Sequence, residues 1–421
     1  MTQTDDLTVT EALGRVLAGV HLLPPEQVTI GEALGRVLAS AVVAAASLPP
    51  FANSAMDGYA VRSDDLATAS RETPSVLDVV GDIAAGAAPG FLLAPGEAAR
   101  IMTGAPLPDG ADAVVPVEAT NEPWRDAQRP LPAQITVYQS VTPGDYVRFP
   151  GEDIQAGQEV MPAGHLLRPQ EIGVLASLGM AHVPVIRRPR VGVLATGDEL
   201  VGVSEELAPG KIRNSNAYTQ EAQIRALGAV PVPLGIARDE LDDVRDKLGQ
   251  GLEGEVDLFV SSAGVSVGAY DVVKGVLEAE GNVGFWRVRM RPGKPLAFGS
   301  YQGVPYLGLP GNPVSALVSF ERFARPAILK MAGHTAWERP RLQVTIAGPI
   351  TSDGRETYAR AIVRREADGS YVAQLTGEQG SHIMTSLVQA NALLVVPEGV
   401  REVQRGAQLE AMMIDWPPGV F

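Results

Sequence analysis

The chain has 421 residues, 45% of them apolar, so it is too long for one ordinary hydrophobic core and several domains are expected. Its 49 acidic and 34 basic side chains give a formal charge of −15, which disfavours nucleic acid and anionic membranes as partners. The absence of cysteine excludes disulfides, thiolate metal sites, iron–sulfur clusters and cysteine nucleophiles, and the 5 histidines lack the spacing of a zinc site. The polar amino terminus resembles no signal peptide, and no apolar run approaches the roughly 20 residues that span a bilayer. We therefore expect a cytoplasmic protein.

The amino-terminal part is predicted to be helical. Thr8 or Thr10 can cap a helix, and Glu11–Ala18 has apolar residues at helical spacing. The same octet, EALGRVLA, returns at Glu32–Ala39. Because the flanking sequences differ, we interpret the two copies as two similar amphipathic helical segments rather than as an internal repeat.

The next hundred residues, up to Val147, have the pattern of a β-rich module. Short apolar runs alternate there with clusters of Gly, Pro, Asp and Asn. These runs are Val76–Val80, Ala113–Val117 and Ile135–Val141. Residues 169–180 then return to helical spacing.

From Val185 to Gly333, apolar strands and helical segments alternate. The predicted strands are Arg190–Ala195, Val230–Leu234, Val256–Ser261, Val283–Met290 and Pro305–Leu309, and the predicted helices are Asn216–Leu227, Asp239–Leu248, Asp271–Glu280 and Pro313–Lys330. This alternation predicts βαβ units on a doubly wound, mostly parallel sheet, whose ligands bind beyond the carboxyl ends of the strands. From His334 onward the pattern is β again and predicts a small C-terminal domain.

Three loops follow strands of this α/β region: ATGDEL at 195–200, SSAGVSVG at 261–268, and LPGNP at 309–313. In the third, Asn312 suits the N-cap and Pro313 the first helical position, and the N–H groups of such a helix start attract phosphate or carboxylate. Taken alone, an ordinary capped helix is the simpler interpretation. The glycines of the second loop allow a ligand to approach its backbone closely. Its sequence matches neither the P-loop nor the Rossmann fingerprint.

A basic segment lies just before the third loop. If Trp286–Met290 is a strand, Arg287, Arg289 and Arg291 share one face, and Lys294 extends it. A solvated strand face and an anion-binding edge are both open at this point.

Carboxylates are found at several predicted strand-to-helix loops: Asp198, Glu199, Asp239 and Asp271. Each of Asp239 and Asp271 taken singly is best explained as a helix cap. Because such loops converge at one edge of a sheet, we expect these four carboxylates to lie near one another. Several carboxylates beside the phosphates of a ligand indicate a divalent cation, and their oxygen atoms favour Mg²⁺. Two loops of the β-rich module, NSAMDGYA at 53–60 and IMTGAP at 101–106, are simple turns on physical grounds alone.

The ordered set of these segments is more specific than any one of them. In chain order, NSAMDGYA, RIMTGAPLP, RFPGEDI, ATGDEL, SSAGVSVG with Asp271, RPGKP and LPGNPVSA resemble the molybdopterin molybdenumtransferase family, which includes MoeA and the E domain of gephyrin. The resemblance covers essentially the whole chain.

The resemblance implies a multidomain fold of class α/β plus β, with a central α/β domain of the molybdopterin-binding type. The implied parts are an N-terminal helix packed on that domain (1–25), a linking domain (26–45 and 148–180), a β-rich domain (46–147), the α/β domain (181–332) and a C-terminal β domain (333–421).

The resemblance also implies the reaction: adenylylated molybdopterin and molybdate give molybdenum–molybdopterin and AMP, with Mg²⁺, in a homodimer whose cleft is shared between subunits. The family's functional polar positions are matched by Asp57, Thr103, Arg148, Asp153, Glu199, Asp239, Asp271 and Lys294, of which Asp239 and Asp271 are the implied metal ligands. Pterin or phosphate contacts are matched by Ser262, Ser266, Gly268, Arg291, Pro310, Gly311, Asn312 and Ser315. Arg360 and Ser381 match C-terminal positions that approach the cleft.

Two positions depart from the family pattern. Ala263 stands where a second glycine is common, and Arg291 replaces a common lysine, which keeps the charge but exchanges a point-like ammonium for a planar fork. Two rival functions stay open: a molybdopterin adenylyltransferase, which needs only the region near 185–330, and a non-catalytic scaffold like that of gephyrin. Other enzymes of cofactor biosynthesis are further candidate partners, and molybdate and tungstate both remain open as substrates.

Overall fold

The structure is a computed structural model that describes residues 6–122, 130–262 and 272–416. It forms two compact units, one from residues up to 39, 166–168 and 183 onward, and the other from residues 40–165 and 169–182. The predicted site residues Ser266, Gly268 and Asp271 lie outside the described residues. The division into five parts stays a prediction.

The helices of the described residues are α1 (Val9–Ala18), α2 (Pro169–Ser177), α3 (Ser215–Ala226), α4 (Leu241–Glu253), α5 (Val272–Glu280), α6 (Pro313–Ser319), α7 (Arg325–Met331) and α8 (Thr385–Gln389). A π-helical segment, Phe320–Ala324, joins α6 and α7 into one continuous helix. Short 3₁₀ turns lie at Ile30–Glu32, Ser63–Leu66 and Val117–Ala119. No helix of residues 6–122, 130–262 and 272–416 is both long enough and apolar enough to cross a membrane.

The repeated octet adopts two different structures, so the prediction of a second helical segment is wrong. The first copy forms α1, whose start is fixed by reciprocal hydrogen bonds between Thr8 and Glu11. In the second copy Gly35 has φ +73° and its N–H donates to the Leu167 carbonyl over 2.8 Å, while Ala39 donates to Pro184 over 3.0 Å. Pairing with distant segments therefore overrides the helical propensity of the same eight residues.

A seven-stranded sheet forms the centre of the first unit. Its strands, in spatial order, are Asp6–Leu7, Gly281–Val288, Pro295–Tyr301, Val304–Leu309, Leu258–Ser262, Arg190–Thr196 and Val230–Ala237. Four of its neighbouring pairs are parallel, and the two that involve Pro295–Tyr301 are antiparallel. The predicted mostly parallel sheet is confirmed.

Helices cover both faces of this sheet because the strands are apolar on both sides. Along Arg190–Thr196, Val193 packs with residues of α1, α3, α6 and α7, whereas its neighbour Leu194 packs with residues of α4 and α5. Each fully buried side chain of this kind stabilises the fold by about 1.5–3 kcal/mol. The sheet is therefore doubly wound, as predicted, and its carboxyl edge is left to loops.

The predicted alternation misses the antiparallel strand Pro295–Tyr301. The chain turns back after Val288, and Pro295–Tyr301 then pairs antiparallel with Gly281–Val288 on one side and with Val304–Leu309 on the other. Gly299 allows the close approach, because a Cβ there would lie 1.9 Å from the Asn282 carbonyl oxygen. The small residues of this strand hide its β character from the hydrophobic pattern.

The C-terminal part of the first unit is a second sheet that closes on itself. In order, its strands are Met290–Arg291, Glu356–Arg365, Tyr371–Leu375, Arg341–Ile346, Gln408–Met413 and Ala392–Val396, with Ala392–Val396 pairing back to Glu356–Arg365. Met290–Arg291 joins it by a parallel pairing with Glu356–Thr357. The basic segment after the first sheet is thus fixed between two sheets.

The second unit contains a five-stranded sheet with the order Ala113–Pro116, Gly58–Val61, Glu97–Ile101, Ser75–Ile83 and Gln134–Val137. This confirms the predicted β-rich character. The remaining short strands of the described chain are Pro25–Thr29, Val42–Val43, Asn53–Ser54, Val147–Arg148, Glu159–Met161, His182–Ile186, Leu200–Val201, Ile212–Arg213, Ile350–Thr351 and Glu402–Val403.

Candidate functional site

A cavity of about 710 Å³ lies beyond the carboxyl ends of three neighbouring parallel strands of the first unit. Thr196 and Ser262 end two of these strands, and Pro310 follows the third. We call this space the sheet-edge cavity. Eight of the predicted site residues line it: Glu199, Ser262, Arg291, Lys294, Pro310, Gly311, Asn312 and Ser315.

The charge of the sheet-edge cavity is opposite to that of the chain. Among the described residues, its lining includes four cationic side chains, Arg213, Arg291, Lys294 and Arg355, and one carboxylate, Glu199. In a chain with a formal charge of −15, this local excess of positive charge favours an anionic ligand.

The turn that carries Arg291 and Lys294 depends on Gly293. Gly293 has φ +109°, and a Cβ there would lie 2.4 Å from the Met290 Cε and 2.5 Å from the Ser319 Oγ. Glycine is therefore required both by the backbone conformation and by the packing.

Replacing Gly293 with alanine is expected to destabilise the protein by about 2–3 kcal/mol, because strain and overpacking add at this position. Gly303→Ala is the matched control, since Gly303 has a similar φ of +85° but no atom within 4 Å of the added Cβ. The midpoint of thermal unfolding of both variants measures the difference. Equal midpoints would show that the neighbours of Gly293 accommodate the added methyl group without a loss of stability.

Arg291, which begins this turn, and Arg355, which directly precedes the strand Glu356–Arg365, share one carboxylate, that of Asp353. Arg355 Nη2 donates to Asp353 over 2.5 Å, and Arg291 Nη1 lies 3.8 Å from the same carboxylate. The hydrogen bonds from Arg355, and then the charge of Arg291, hold the pKa of Asp353 at about 2. Asp353 therefore stays ionised and orients both guanidinium groups beside the cavity.

The predicted common basic face is only partly formed, because the strand ends at Val288. Arg289 turns away from the cavity: its Nε donates to Glu398 over 2.5 Å and its Nη1 to the Asp6 carbonyl over 2.8 Å. Arg291 and Lys294 line the cavity, and Arg287 does not.

The loops after Arg190–Thr196 and Val230–Ala237 carry three neighbouring carboxylates. Gly197 has φ +136°, a backbone conformation that residues with a side chain rarely adopt, so the first of these turns favours glycine. The Asp239 N–H donates to the Asp198 Oδ1 over 3.3 Å. Partial burial, then the charges of Asp198 and Glu199, raise the pKa of Asp239. The negative charges of Asp198 and Glu199 therefore oppose the ionisation of Asp239.

Within residues 6–122, 130–262 and 272–416, no group of three or more His, Asp or Glu side chains is close enough to hold a metal ion by itself. The predicted metal ligand Asp239 belongs to the carboxylate cluster just described, which adjoins the cavity through Glu199.

The loop before α6 differs from its prediction in one respect. Asn312 occupies the N-cap position and Pro313 the first helical position, as predicted, but the Asn312 side chain makes no capping hydrogen bond. The Val314 N–H is already bonded to the Ser381 carbonyl over 3.1 Å. That backbone group is therefore not available to an anion, and the exposed Asn312 side chain faces the cavity instead.

Sequence reasoning missed the wall formed by the start of α3. Asn214 caps this helix by accepting a hydrogen bond from the Ala217 N–H over 3.2 Å, and Asn216 Nδ2 donates to the Gly311 carbonyl over 2.7 Å. The sequence Asn-Ser-Asn at 214–216, just before a helical pattern, was the available signal.

The C-terminal sheet supplies a further wall that sequence reasoning found only in part. Ser381 lines the cavity together with Gln379 and Gly380. Arg360 lies buried beneath this loop rather than in the cavity, donating to the Gln379 carbonyl over 3.1 Å and the Gly380 carbonyl over 3.0 Å. Burial, and then the charge of Arg291, lowers the pKa of Arg360 to about 10. Arg360 therefore shapes the cavity wall from behind.

In the second unit, two loops that appeared to be separate turns form one polar cluster. The N–H and the Oγ1 of Thr103 both donate to the Asp57 Oδ1 over 2.8 Å. Both side chains are exposed, as are the predicted site residues Arg148 and Asp153. Arg148 pairs with Asn53 in a short antiparallel ladder four residues before Asp57. The roles of these four residues stay predictions.

These features define a class of protein, namely an α/β protein with a basic small-molecule cavity at the carboxyl edge of a mostly parallel sheet. Three family profiles match: "MoeA N-terminal region (domain I and II)" over residues 7–179, "Probable molybdopterin binding domain" over 192–330, and "MoeA C-terminal region (domain IV)" over 343–414. The chain belongs to the MoeA family of molybdopterin molybdenumtransferases.

Relatives match over most of their length. The chain is 42% identical to molybdopterin molybdenumtransferase 2 of Mycobacterium tuberculosis over 376 residues, which are 88% of this chain and 90% of the relative. It is 38% identical to molybdopterin molybdenumtransferase of a Nostoc species over 382 residues, 89% of this chain and 85% of the relative. The fold matches the crystal structure of the molybdopterin biosynthesis moea protein from Pyrococcus horikosii, with a TM-score of 0.82, 30% identity, and coverage of 98% of this chain and 100% of that one.

Proposed function

We propose that this chain acts as a cytoplasmic homodimer that transfers molybdenum from molybdate to adenylylated molybdopterin, giving molybdenum–molybdopterin and AMP. The observation that carries the proposal is the sheet-edge cavity, in which the described lining has four cations and one carboxylate, beside a cluster of further carboxylates. Phosphates of an adenylylated pterin supply the negative charge that such a lining needs. The relatives bear the name of the same activity.

In the proposed mechanism, the side chains of this protein bind and orient the substrate and neutralise its charge. Arg291, Lys294 and Arg355 hold the phosphates of the substrate and stabilise the charge that develops on oxygen as the phosphoanhydride breaks. The polar residues at the start of α3 and in the Gly311-Asn312 turn orient the pterin. The dithiolene sulfurs of the pterin ligate the molybdenum, which agrees with a chain that contains 0 cysteines.

Mg²⁺ fits the carboxylate cluster only together with further ligands, because no three described carboxylates are close enough to hold the ion by themselves. Asp239 has a raised pKa because burial and two like charges oppose its ionisation, and a divalent cation would remove that repulsion. Asp239 and its neighbour Asp198 would contribute carboxylate oxygens, substrate phosphates and water would complete the set, and the ion would supply charge neutralisation next to the phosphates.

If these carboxylates hold Mg²⁺, the affinity for Mg²⁺ is expected to fall as the pH falls through the raised pKa of Asp239, because a carboxyl binds the cation only when deprotonated. Asp198→Asn removes a like charge, so the pKa of Asp239 moves down and the pH midpoint of Mg²⁺ binding moves down with it. Calorimetric titration with Mg²⁺ over a pH series measures this midpoint. Asp242→Asn, on exposed α4, is the control; a midpoint that is the same in both variants contradicts the assignment.

The reaction itself is tested with purified protein, adenylylated molybdopterin, molybdate and Mg²⁺. We expect release of AMP together with a product that activates a molybdenum-free apoenzyme. If the protein instead forms adenylylated molybdopterin and pyrophosphate from molybdopterin and Mg-ATP, it is an adenylyltransferase and the proposal fails. Failure of both reactions, with molybdopterin still bound, identifies a scaffold.

The homodimer proposal gives the Asp57–Thr103 cluster its role: the cluster of one subunit completes the sheet-edge cavity of its partner. Its support is the family resemblance together with the exposure of a fully formed, hydrogen-bonded carboxylate. A mixed dimer of an Asp57→Ala subunit and a Lys294→Ala subunit contains one intact cleft on this arrangement. Partial recovery of activity on mixing two inactive variants supports it, and no recovery in a verified mixed dimer overturns it.

A further inference from the structure

A second cavity, of about 510 Å³, lies in the first unit at the ends of two helices. Its walls are the carboxyl end of α3 with the following Leu227-Gly228, the residues of α7 and the chain after it up to Ala336, and the segments 34–37 and 186–189. It shares no lining residue with the sheet-edge cavity.

Four arginines and one histidine line this second cavity, and no carboxylate of residues 6–122, 130–262 and 272–416 does. They are Arg36, Arg188, Arg225, Arg325 and His334. We call it the arginine cavity. In a chain with 49 acidic and 34 basic side chains, a lining with four arginines and no acidic group among the described residues points to an anion as its ligand. Burial and the charge of Arg325 lower the pKa of His334, so the arginines carry the charge of the lining.

Two of these arginines are fixed in the wall. The Arg36 side chain is 8% exposed; it donates to the Ile186 carbonyl over 2.7 Å and pairs with Glu26. Arg325 donates to the Trp337 carbonyl, while its buried Nε has no hydrogen-bond partner among the described residues. Such guanidinium groups are held in place before any ligand arrives, which lowers the entropic cost of binding.

The carboxylates near the arginines lie behind the wall and do not fully neutralise it. Glu321 lies 3.8 Å from the Arg325 Nε but 2.9 Å from Arg339, so its charge is shared. Burial and the charge of Arg339 accordingly lower the pKa of Arg325. An anion in the cavity would relieve this repulsion.

The other two arginines stand at the opening. The Arg225 side chain is 60% exposed and contacts Glu221 over 3.1 Å. The exposed Arg188 guanidinium makes no hydrogen bond within the described part of the chain, and Glu32 is the carboxylate that its charge reaches. Arg188 is therefore available to a ligand, whereas Arg225 would have to share its guanidinium with Glu221.

The arginine cavity also has an apolar side. Leu34 and Leu166 line it and are exposed to 53% and 39%, so the cavity offers apolar surface beside its cationic groups. The volume falls within the roughly 300–1,000 Å³ of small-molecule sites, far above what one phosphate ion fills. The ligand chemistry that matches is an anionic group attached to an apolar or aromatic body.

We propose that the arginine cavity binds a phosphorylated small organic molecule, with its phosphate on the arginines and its body against Leu34 and Leu166. Arginine is suited to this role because its planar fork donates two parallel hydrogen bonds to phosphate oxygens. The proposal does not depend on the proposed function, because the two cavities have no residue in common.

The test uses AMP, UMP and ribose 5-phosphate as probes, with adenosine as the uncharged comparison. Because AMP also fits the sheet-edge cavity, calorimetric binding is measured in an Arg291→Ala, Lys294→Ala background. We expect at least one phosphorylated probe to bind with Kd below about 1 mM and adenosine to bind about tenfold more weakly or not at all. Adding Arg188→Ala and Arg225→Ala is expected to weaken that binding by about tenfold or more.

The matched control is Arg245→Ala, which removes an arginine of α4 that is ion-paired to Asp242 and Glu280 outside both cavities. It is expected to leave probe binding unchanged. Failure of all three phosphorylated probes to bind overturns the proposal, and so does binding that survives Arg188→Ala with Arg225→Ala. If no probe binds and these two substitutions change the oligomeric state, the arginine cavity receives a protein surface instead, which also overturns it.

Discussion

Replacing Lys294 with alanine is expected to lower kcat/KM for molybdenum insertion by about 100-fold. Lys294 is an exposed cation of the sheet-edge cavity, and a charge-assisted hydrogen bond to phosphate is worth about 1.5–3 kcal/mol, or about 10–150-fold in rate. Rates of AMP release at several substrate concentrations measure the effect. If the contact strengthens only as the phosphoanhydride breaks, kcat falls and KM stays constant.

Lys274→Ala is the matched control for this prediction. Lys274 lies on α5 and reaches Glu278 over 3.7 Å, outside the sheet-edge cavity. Its removal is expected to leave kcat/KM unchanged. A Lys294→Ala enzyme with the kcat/KM of the unchanged protein would remove Lys294 from the site, whereas partial activity of Lys294→Arg would show that the charge itself matters.

Replacing Arg360 with methionine is expected to destabilise the protein by about 3–5 kcal/mol, although Arg360 does not line the sheet-edge cavity. Methionine keeps the apolar stem but leaves the buried Ser386 hydroxyl and the carbonyls of Gln379 and Gly380 without their donor. Because Gln379 and Gly380 line the sheet-edge cavity, we also expect a higher KM. Thermal unfolding and substrate titration measure the two effects separately.

Arg364→Met is the control for Arg360→Met. Arg364 lies on the same strand, four residues away, but is exposed. It is expected to change the free energy of unfolding by less than about 0.5 kcal/mol. If Arg360→Met lowers the unfolding midpoint and leaves KM unchanged, the residue supports the sheet but does not position the loop.

The parts of the site that sequence patterns predicted are those whose signals are local. A buried strand followed by a small-residue loop and a helical pattern placed Ser262 and Asn312 at one sheet edge, and the structure brings them to one cavity. The carboxylates of the ATGDEL loop and Asp239 likewise converge, because they follow adjacent parallel strands. Strand order did not have to be known for this result, since every parallel strand ends at the same edge.

The parts that were missed depend on contacts between distant segments. Arg355 reaches the sheet-edge cavity because Met290–Arg291 pairs with Glu356–Thr357, more than sixty residues later, and no local pattern encodes such a pairing. The two copies of EALGRVLA show the same dependence on distant contacts. The first copy is helical, whereas the N–H groups of Gly35 and Ala39 in the second copy donate to residues more than a hundred positions away. The Asn214 cap, by contrast, is a local signal, since an asparagine directly before a helical pattern indicates an N-cap.

Helix α3 and the continuous helix from α6 to α7 each begin at the sheet-edge cavity and end at the arginine cavity. Ser215 lines the first and Arg225 the second, and the same holds for Ser315 and Arg325. At about 1.5 Å per residue, α3 spans the distance as a rod of roughly 18 Å. If a ligand shifts these helices at one end and this changes the affinity at the other, thermodynamic linkage requires the factor to be equal in both directions. Substrate affinity would then report whether the arginine cavity is occupied.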